Sequence, residues 1–432
     1  MTQKTLTKKR QLGQFFTTNE KVQKLMVSLI DNNPDTILEP SCGEGHLISA
    51  ISHTFPHADI TGVEYDSTLM QQDSTAHIIH DDFFSFVPNT TYDAIIANPP
   101  YVAWKNTTDS TQQAALEYKK NYSDKANLYY LFIDKCIDLL SLGGSMVMIC
   151  PKEWMYATSA SFLREKMMHH GSFTHIIDGG EEKVFDDADV PSLMIFCWVK
   201  GKKKTTVLHT QGYNVSPHWE EKKIVFNGGS LTLCSLDSDY SQWVKKVGDF
   251  VDVKVGIVSG ADKVFNITSH ENKDLFVEEN TVRKYLTTKG IEYFIDVSHI
   301  CEEEKIPHYT YEYLCEYKDI LLSRGIKKFT TENWWHYGAI RNKKLMESST
   351  PRLFCYGRTR KDHPFFTCDK TPYYSGGILG LFLKEDCPYS PEEIADILNN
   401  DDFRLIMKEA GLVNGNKTSL QPSTLQRLIF PG

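Results

Sequence analysis

Thr36-Ile37-Leu38-Glu39-Pro40-Ser41-Cys42-Gly43-Glu44-Gly45-His46-Leu47-Ile48 reads as a short apolar strand, a tight glycine loop and the start of a helix. Gly43 and Gly45 let the backbone come close to a ligand, as at the first βα turn of an open parallel sheet. Ile48 stands where a dinucleotide fingerprint has its third glycine, so the loop by itself also fits an ordinary βα turn. A second strand, Asp59-Ile60-Thr61-Gly62-Val63, ends in Glu64, an acid about 20 residues past the loop and placed for a ribose hydroxyl pair. A third, Ala76-His77-Ile78-Ile79, leads into Asp81-Asp82-Phe83-Phe84, where Asp82 can accept from an adenine amine while Phe83 packs on the ring. A fourth, Tyr92-Asp93-Ala94-Ile95-Ile96-Ala97, runs into Asn98-Pro99-Pro100-Tyr101. Parallel α/β sheets bind ligands at the carboxyl ends of their strands, so all four strand ends converge on one crevice.

The Asn98-Pro99-Pro100-Tyr101 tetrad is a device for holding a planar amino group. The Asn98 side-chain oxygen can accept one hydrogen bond from an exocyclic –NH2 and the Pro99 carbonyl can accept the other. Two prolines fix φ near −65° and carry no N–H, so the loop is stiff and offers acceptors. Tyr101 supplies a flat face for a ring to stack on. Acceptors on both N–H bonds of an adenine amine pull its delocalised lone pair back toward nitrogen. The tetrad also fits a protein glutamine amide.

Together these motifs resemble an S-adenosylmethionine-dependent DNA adenine-N6 methyltransferase of the gamma motif order, similar to the TaqI-like family of restriction-modification systems. That family has a Gly-Gln-Phe-Phe-Thr-Pro segment before the glycine loop. Here it reads Gly13-Gln14-Phe15-Phe16-Thr17-Thr18, with Thr18 in place of proline, which touches only local loop rigidity. The resemblance implies that Thr17 contacts the methionine part of the cofactor. It implies a cofactor site made of Phe16, Thr17, Glu39, Pro40, Cys42, Gly43, Gly45, Glu64, Asp82, Phe83 and Asn98. It also implies a catalytic set of Asn98, Pro99, Tyr101 and Phe185, the last from the Val184-Phe185 pair that would hold a flipped base; a loop phenylalanine in the core is the plainer reading of Phe185.

The rest of the first half fits a mostly parallel, seven-stranded Rossmann-like α/β sheet. Asn19 is placed as an N-cap, and Val22, Leu25, Met26, Leu29 and Ile30 form a core stripe at helical spacing. A helix is expected from Asn127 to Leu140, ended by Gly143-Gly144. Strands are expected at 145–150, 175–178 and 192–199, with a turn at Gly201-Lys202-Lys203-Lys204.

The chain of 432 residues has room for more than one domain. The reading is a catalytic domain over 1–240 and an α+β target-recognition domain over 241–432. Gly256-Ile257-Val258-Ser259-Gly260-Ala261-Asp262-Lys263-Val264-Phe265 is not a P-loop, because no Lys follows the second glycine directly. It resembles the opening of the family's target-recognition domain, and the stretch 412–423 resembles its close.

Net charge is −9, yet residues 323–361 hold ten Lys/Arg against Glu332 and Glu347. Aromatic residues interleave there, a pattern that suits phosphate contact plus base stacking and equally suits a basic face over a tryptophan core. The DNA-binding expectation rests on Lys327, Lys328, Trp334, Trp335, Arg341, Arg358, Arg360 and Lys361. The ten cysteines include no Cys-x-x-Cys pair, which points to free thiols, a cytoplasmic setting and no metal site. The start, Met1 to Arg10, is polar and basic with no apolar stretch of signal-peptide type, and the longest apolar runs, near 192–199, are too short to span a membrane.

The expected partner is double-stranded DNA, read by a monomer, with any cognate endonuclease acting separately. The alternatives left open are a glutamine-amide protein methyltransferase, a modification subunit with a separate specificity subunit, and a DNA-binding module without activity.

Overall fold

The computed structural model describes residues 16–31, 33–69, 75–180, 182, 184, 193–227, 230–236, 245–325, 329–338, 341–359, 366–368, 373–410, 412–414 and 417–432. The chain divides into two compact units, Met1–Asp239 and Tyr240–Gly432.

In the first unit, helix α1 (Glu20–Ser28) starts at Asn19, whose side chain accepts from the Lys21 and Val22 N–H groups at 3.0 and 3.4 Å. Its Val22, Leu25 and Met26 are buried, as are Leu29 and Ile30 just beyond it, so the periodic stripe is core. Strands β1 (Thr36–Glu39), β2 (Asp59–Glu64), β3 (His77–His80), β4 (Tyr92–Ala97) and β5 (Leu140–Pro151) are parallel, and helix α2 (His46–Thr54) joins β1 to β2. β1 pairs with β2 on one side and β4 on the other, so the strand order reverses there and opens the crevice at the strand ends.

After helix α3 (Asp109–Ala114) come α4 (Leu128–Leu139) and α5 (Ser161–His170), then β6 (Gly171–Asp178) and β7 (Leu193–Lys200). β7 lies antiparallel between β5 and β6.

The sheet is wider than the seven strands expected. β8 (Thr206–Gln211), β9 (Glu220–Asn227) and β10 (Ser230–Cys234) extend it beyond β6, giving the order β10-β9-β8-β6-β7-β5-β4-β1-β2-β3. In β9 the run Glu220-Glu221-Lys222-Lys223 masks the alternation that marks a strand, and β8 and β10 are short. β5 also begins earlier than expected. Gly143 and Gly144 lie within it rather than ending the preceding helix, and its pairing with β4 shifts register between Tyr92 and Ala94.

Among the described residues the second unit holds three small sheets: Val251–Val255, Ile378–Leu383 and Arg352–Tyr356; Gly290–Ile295, Val282–Thr287 and Tyr373–Tyr374; and Arg358–Thr359, Lys417–Ser419 and Val413–Asn414, each in that spatial order. Its core gathers Phe265, Tyr285, Trp334, Trp335, Tyr337 and Tyr374. Gly256 passes so close to a neighbouring strand that an added Cβ would lie 2.2 Å from the Ser375 carbonyl oxygen, which only glycine permits. Among the described residues, no helix is long and apolar enough to cross a membrane.

Candidate active site

The glycine loop is fastened by the acid at the end of β2. Glu64 Oε2 accepts from the Gly43 N–H at 2.7 Å and Oε1 accepts from the Asp66 N–H at 2.8 Å. Cys42 donates its N–H to the Val63 carbonyl at 3.0 Å. Gly43 has φ +54° with the Phe16 ring against it, where a Cβ would come within 2.9 Å, and Gly45 turns the chain into α2 with φ +80°. Burial raises the Glu64 carboxyl, and the N–H donors of Asp66 and Gly43 oppose that.

At the end of β1, Glu39 is 2% exposed. Burial pushes its pKa up to about 8; the charge of Glu64 adds to this and the Ile48 N–H opposes it. Its Oε2 has no hydrogen-bond partner among the described residues. A buried carboxylate oxygen left this way is costly, and a cationic N–H donor would relieve it. Glu39 lines a recess with Phe16, Thr17, Cys42, His46 and Asn98.

Beside that recess lies a cleft with about 810 Å³ of space, open solvent included. Phe16, Pro40, Gly43, Glu64, Asp82, Phe83 and Asn98 line it, so the strand ends read from the sequence do meet. Gly45, Pro99 and Tyr101 are not among the lining residues.

Asp82 Oδ1 accepts from the Phe84 N–H at 2.9 Å, and Phe83 packs on Phe132 with ring centroids 4.8 Å apart. This turn is held from within by Lys135 of α4, whose Nζ donates to the carbonyls of Phe83, Phe84 and Phe86 at 2.6, 3.1 and 2.6 Å. Lys135 is 4% exposed, and burial pushes its pKa down to about 8. Sequence reading passed over it, although a lysine inside the apolar run of α4 was the available signal.

At the end of β4, Asn98 Nδ2 donates to Thr17 Oγ1 at 3.1 Å and Oδ1 accepts from the Tyr101 hydroxyl at 2.6 Å. The same hydroxyl lies 2.8 Å from the Ile149 carbonyl oxygen at the end of β5. Ser41 of the glycine loop donates to the Asn98 carbonyl at 3.1 Å. Thr17 and Tyr101 therefore orient the Asn98 side-chain amide, and Ser41 holds its main-chain carbonyl.

Phe185 lies outside the described residues, as do Lys327, Lys328, Arg360 and Lys361. Two DNA-binding expectations are corrected. Trp334 and Trp335 are 0% and 1% exposed, and Trp335 Nε1 donates to the Ile300 carbonyl at 3.0 Å. They are core residues and cannot stack on bases in this fold. Within the same basic stretch, Arg324 donates to the carbonyls of Leu321, Ser259, His336 and Trp334, so it ties loops together. Arg341 and Arg358 are exposed.

Residues 5–185 match the model of the Eco57I restriction-modification methylase family. The Type II methyltransferase M.HindII of Haemophilus influenzae is 27% identical over 474 residues, spanning 98% of this chain and 90% of that one. The Type II methyltransferase M.HincII, also of Haemophilus influenzae, is 27% identical over 463 residues, spanning 98% and 89%. Among solved structures, the Type IIL restriction-modification enzyme MmeI in complex with DNA matches with a TM-score of 0.63 at 11% identity, over 98% of this chain and 65% of that one. Residues 5–185 are thus similar to a restriction-modification methylase, the first unit has a class I methyltransferase fold, and its cofactor is S-adenosylmethionine. The residues fit that molecule. Glu39 offers an unsatisfied acceptor to an ammonium group, Glu64 offers a carboxylate to a ribose, and Asp82 with Phe83 offers an acceptor and a ring face to a purine.

Proposed function

We propose that this chain is a site-specific DNA methyltransferase of the gamma motif order that methylates the N6 amine of an adenine flipped out of duplex DNA. In this reading, residues 1–240 are the catalytic domain and 241–432 the target-recognition domain. The observation that carries it is the fixed Asn98 amide at the end of β4, held by Thr17 and Tyr101 beside a cleft lined by Glu64, Asp82 and Phe83.

When bound, S-adenosylmethionine supplies an electrophilic sulfonium methyl group. The chain's own part is positioning and pre-set hydrogen bonding. Asn98 Oδ1 has two lone pairs; Tyr101 donates to this oxygen, and in this reading an N–H of the target amine does so as well. The Pro99 carbonyl takes the second N–H. Donation from Nδ2 to Thr17 polarises the amide and strengthens its oxygen as an acceptor. Both acceptors act on an amine whose lone pair is otherwise spread into the ring.

Flipping the base costs a few kcal/mol of pairing and stacking. Stacking on Tyr101, and on Phe185, recovers about 1–3 kcal/mol per base. Exposed Arg341 and Arg358 contact phosphates, and the protein acts as a monomer whose endonuclease, where one exists, is a separate chain.

Labelled methyl transfer to unmodified duplex DNA tests this reading. N6-methyldeoxyadenosine in the nucleoside digest supports it. Label on a protein glutamine amide, or on cytosine, contradicts it.

A further inference from the structure

Thr111 occupies a position that the proposed function does not use. It lies on the short helix α3 and lines the cofactor cleft together with Thr107 and Thr108. Its Oγ1 donates to Asp82 Oδ2 at 2.6 Å. The other carboxylate oxygen is already held by the Phe84 N–H at 2.9 Å. Two donors, one on each oxygen and from two different segments, fix the plane of the carboxylate.

The direction of the Thr111 proton is also fixed. Thr108 Oγ1 donates to Thr111 Oγ1 at 3.0 Å, and Thr108 and Ser110 share a hydroxyl contact at 3.0 Å. Ser110 in turn meets the Tyr65 hydroxyl at 3.1 Å, next to Glu64. A threonine hydroxyl has one proton and two lone pairs. Since Thr111 accepts from Thr108, its single proton goes to Asp82. The remaining lone pairs of Asp82 can only accept, so they favour an amine at the purine 6-position and oppose a carbonyl.

We infer that Thr111 is a specificity-determining positioning residue. By locking the Asp82 carboxylate through a hydroxyl chain, it makes the cleft select a 6-aminopurine cofactor over a 6-oxopurine one. This rests on the proposed reading of the cleft as the site of the cofactor's adenosine.

The test is titration calorimetry with S-adenosylhomocysteine and its 6-oxo counterpart, S-inosylhomocysteine, on the full chain and on T111V and T111S. Wild type is expected to prefer the adenosyl compound. T111V should lose about tenfold of that preference, the effect of one charge-assisted hydrogen bond. T111S, which keeps the hydroxyl, should retain the wild-type ratio. A T111V protein that binds both compounds more weakly but in the wild-type ratio overturns the inference, because Thr111 would then serve structure alone. If wild type binds neither compound, the reading of the cleft fails and the inference with it. Helix α3 buries no side chain, so both variants are expected to fold, and their melting temperatures check this.

Discussion

The Tyr101 hydroxyl donates to Asn98 Oδ1 at 2.6 Å and lies 2.8 Å from the Ile149 carbonyl oxygen, tying the last residue of β4's tetrad to its first and to the neighbouring strand. Tyr101 therefore has a second task besides offering a ring. Its hydroxyl turns the Asn98 amide so that the oxygen is presented in one orientation. Tyr101→Phe keeps the ring and removes that bond. The expected result is a fall in kcat of about tenfold, the effect of one buried hydrogen bond. Capture of a fluorescent base analogue at the target should stay near wild type. Tyr101→Ala should instead weaken base capture. Equal kcat in Tyr101→Phe and wild type would remove the orienting role.

Glu39 predicts proton release on cofactor binding. Its pKa is raised from 4.5 to about 8 by burial, with Glu64 adding to the rise. Between those values the folded chain holds a proton that the unfolded chain does not. This group's contribution to free-protein stability is thus present below pH 4.5 and lost as pH rises toward 8. An ammonium group beside Glu39 favours the carboxylate, so binding at pH 7 should release about one proton. Calorimetry in buffers of different ionisation enthalpy measures it, and Glu39→Gln should abolish the release.

Lys135 predicts a pH dependence of the opposite sign. Burial lowers its pKa from 10.5 to about 8, so between those values the unfolded chain holds the extra proton. The first unit should gain stability from this group as pH rises from 8 to 10.5. Lys135→Met should lose that slope. It should also destabilise the first unit by about 3 kcal/mol or more, since three buried carbonyls lose their donor. Denaturant unfolding at several pH values reads both effects.

The second unit separates packing from DNA contact. Trp334→Ala should cost about 3–5 kcal/mol of its stability, as for other large core truncations. Arg341→Ala and Arg358→Ala should leave the melting temperature unchanged. Each should weaken duplex binding and reduce its salt slope by about 1. A tryptophan variant that folds normally but loses DNA affinity would return Trp334 to the interface.

The legible part of this chain was the part where backbone geometry and chemistry demand particular residues. Gly43, Glu64, Asp82 and Asn98 lie at or just past the ends of their strands and line one crevice, and the glycine loop and the tetrad carry their own signatures. Asn19 and the stripe from Val22 to Ile30 followed from capping and helical period. Strand β9 escaped because its run Glu220-Glu221-Lys222-Lys223 lacks alternation, and β8 and β10 are short. Trp334 and Trp335 were misread because interleaved basic and aromatic residues look alike whether rings meet bases or fill a core, and only burial separates the two. Thr111 and Lys135 act on Asp82 and its turn from about 30 and 50 residues away in sequence, distances at which local patterns carry no information.

The most direct test of the central claim is single-molecule sequencing of unmodified genomic DNA treated with S-adenosylmethionine and either wild-type or Asn98→Ala protein. N6-methyladenine at one short motif with wild type, and none with a variant that still binds cofactor, is the predicted result. Equal methylation by Asn98→Ala, or no adenine mark from a wild-type protein that binds the cofactor, would contradict the account.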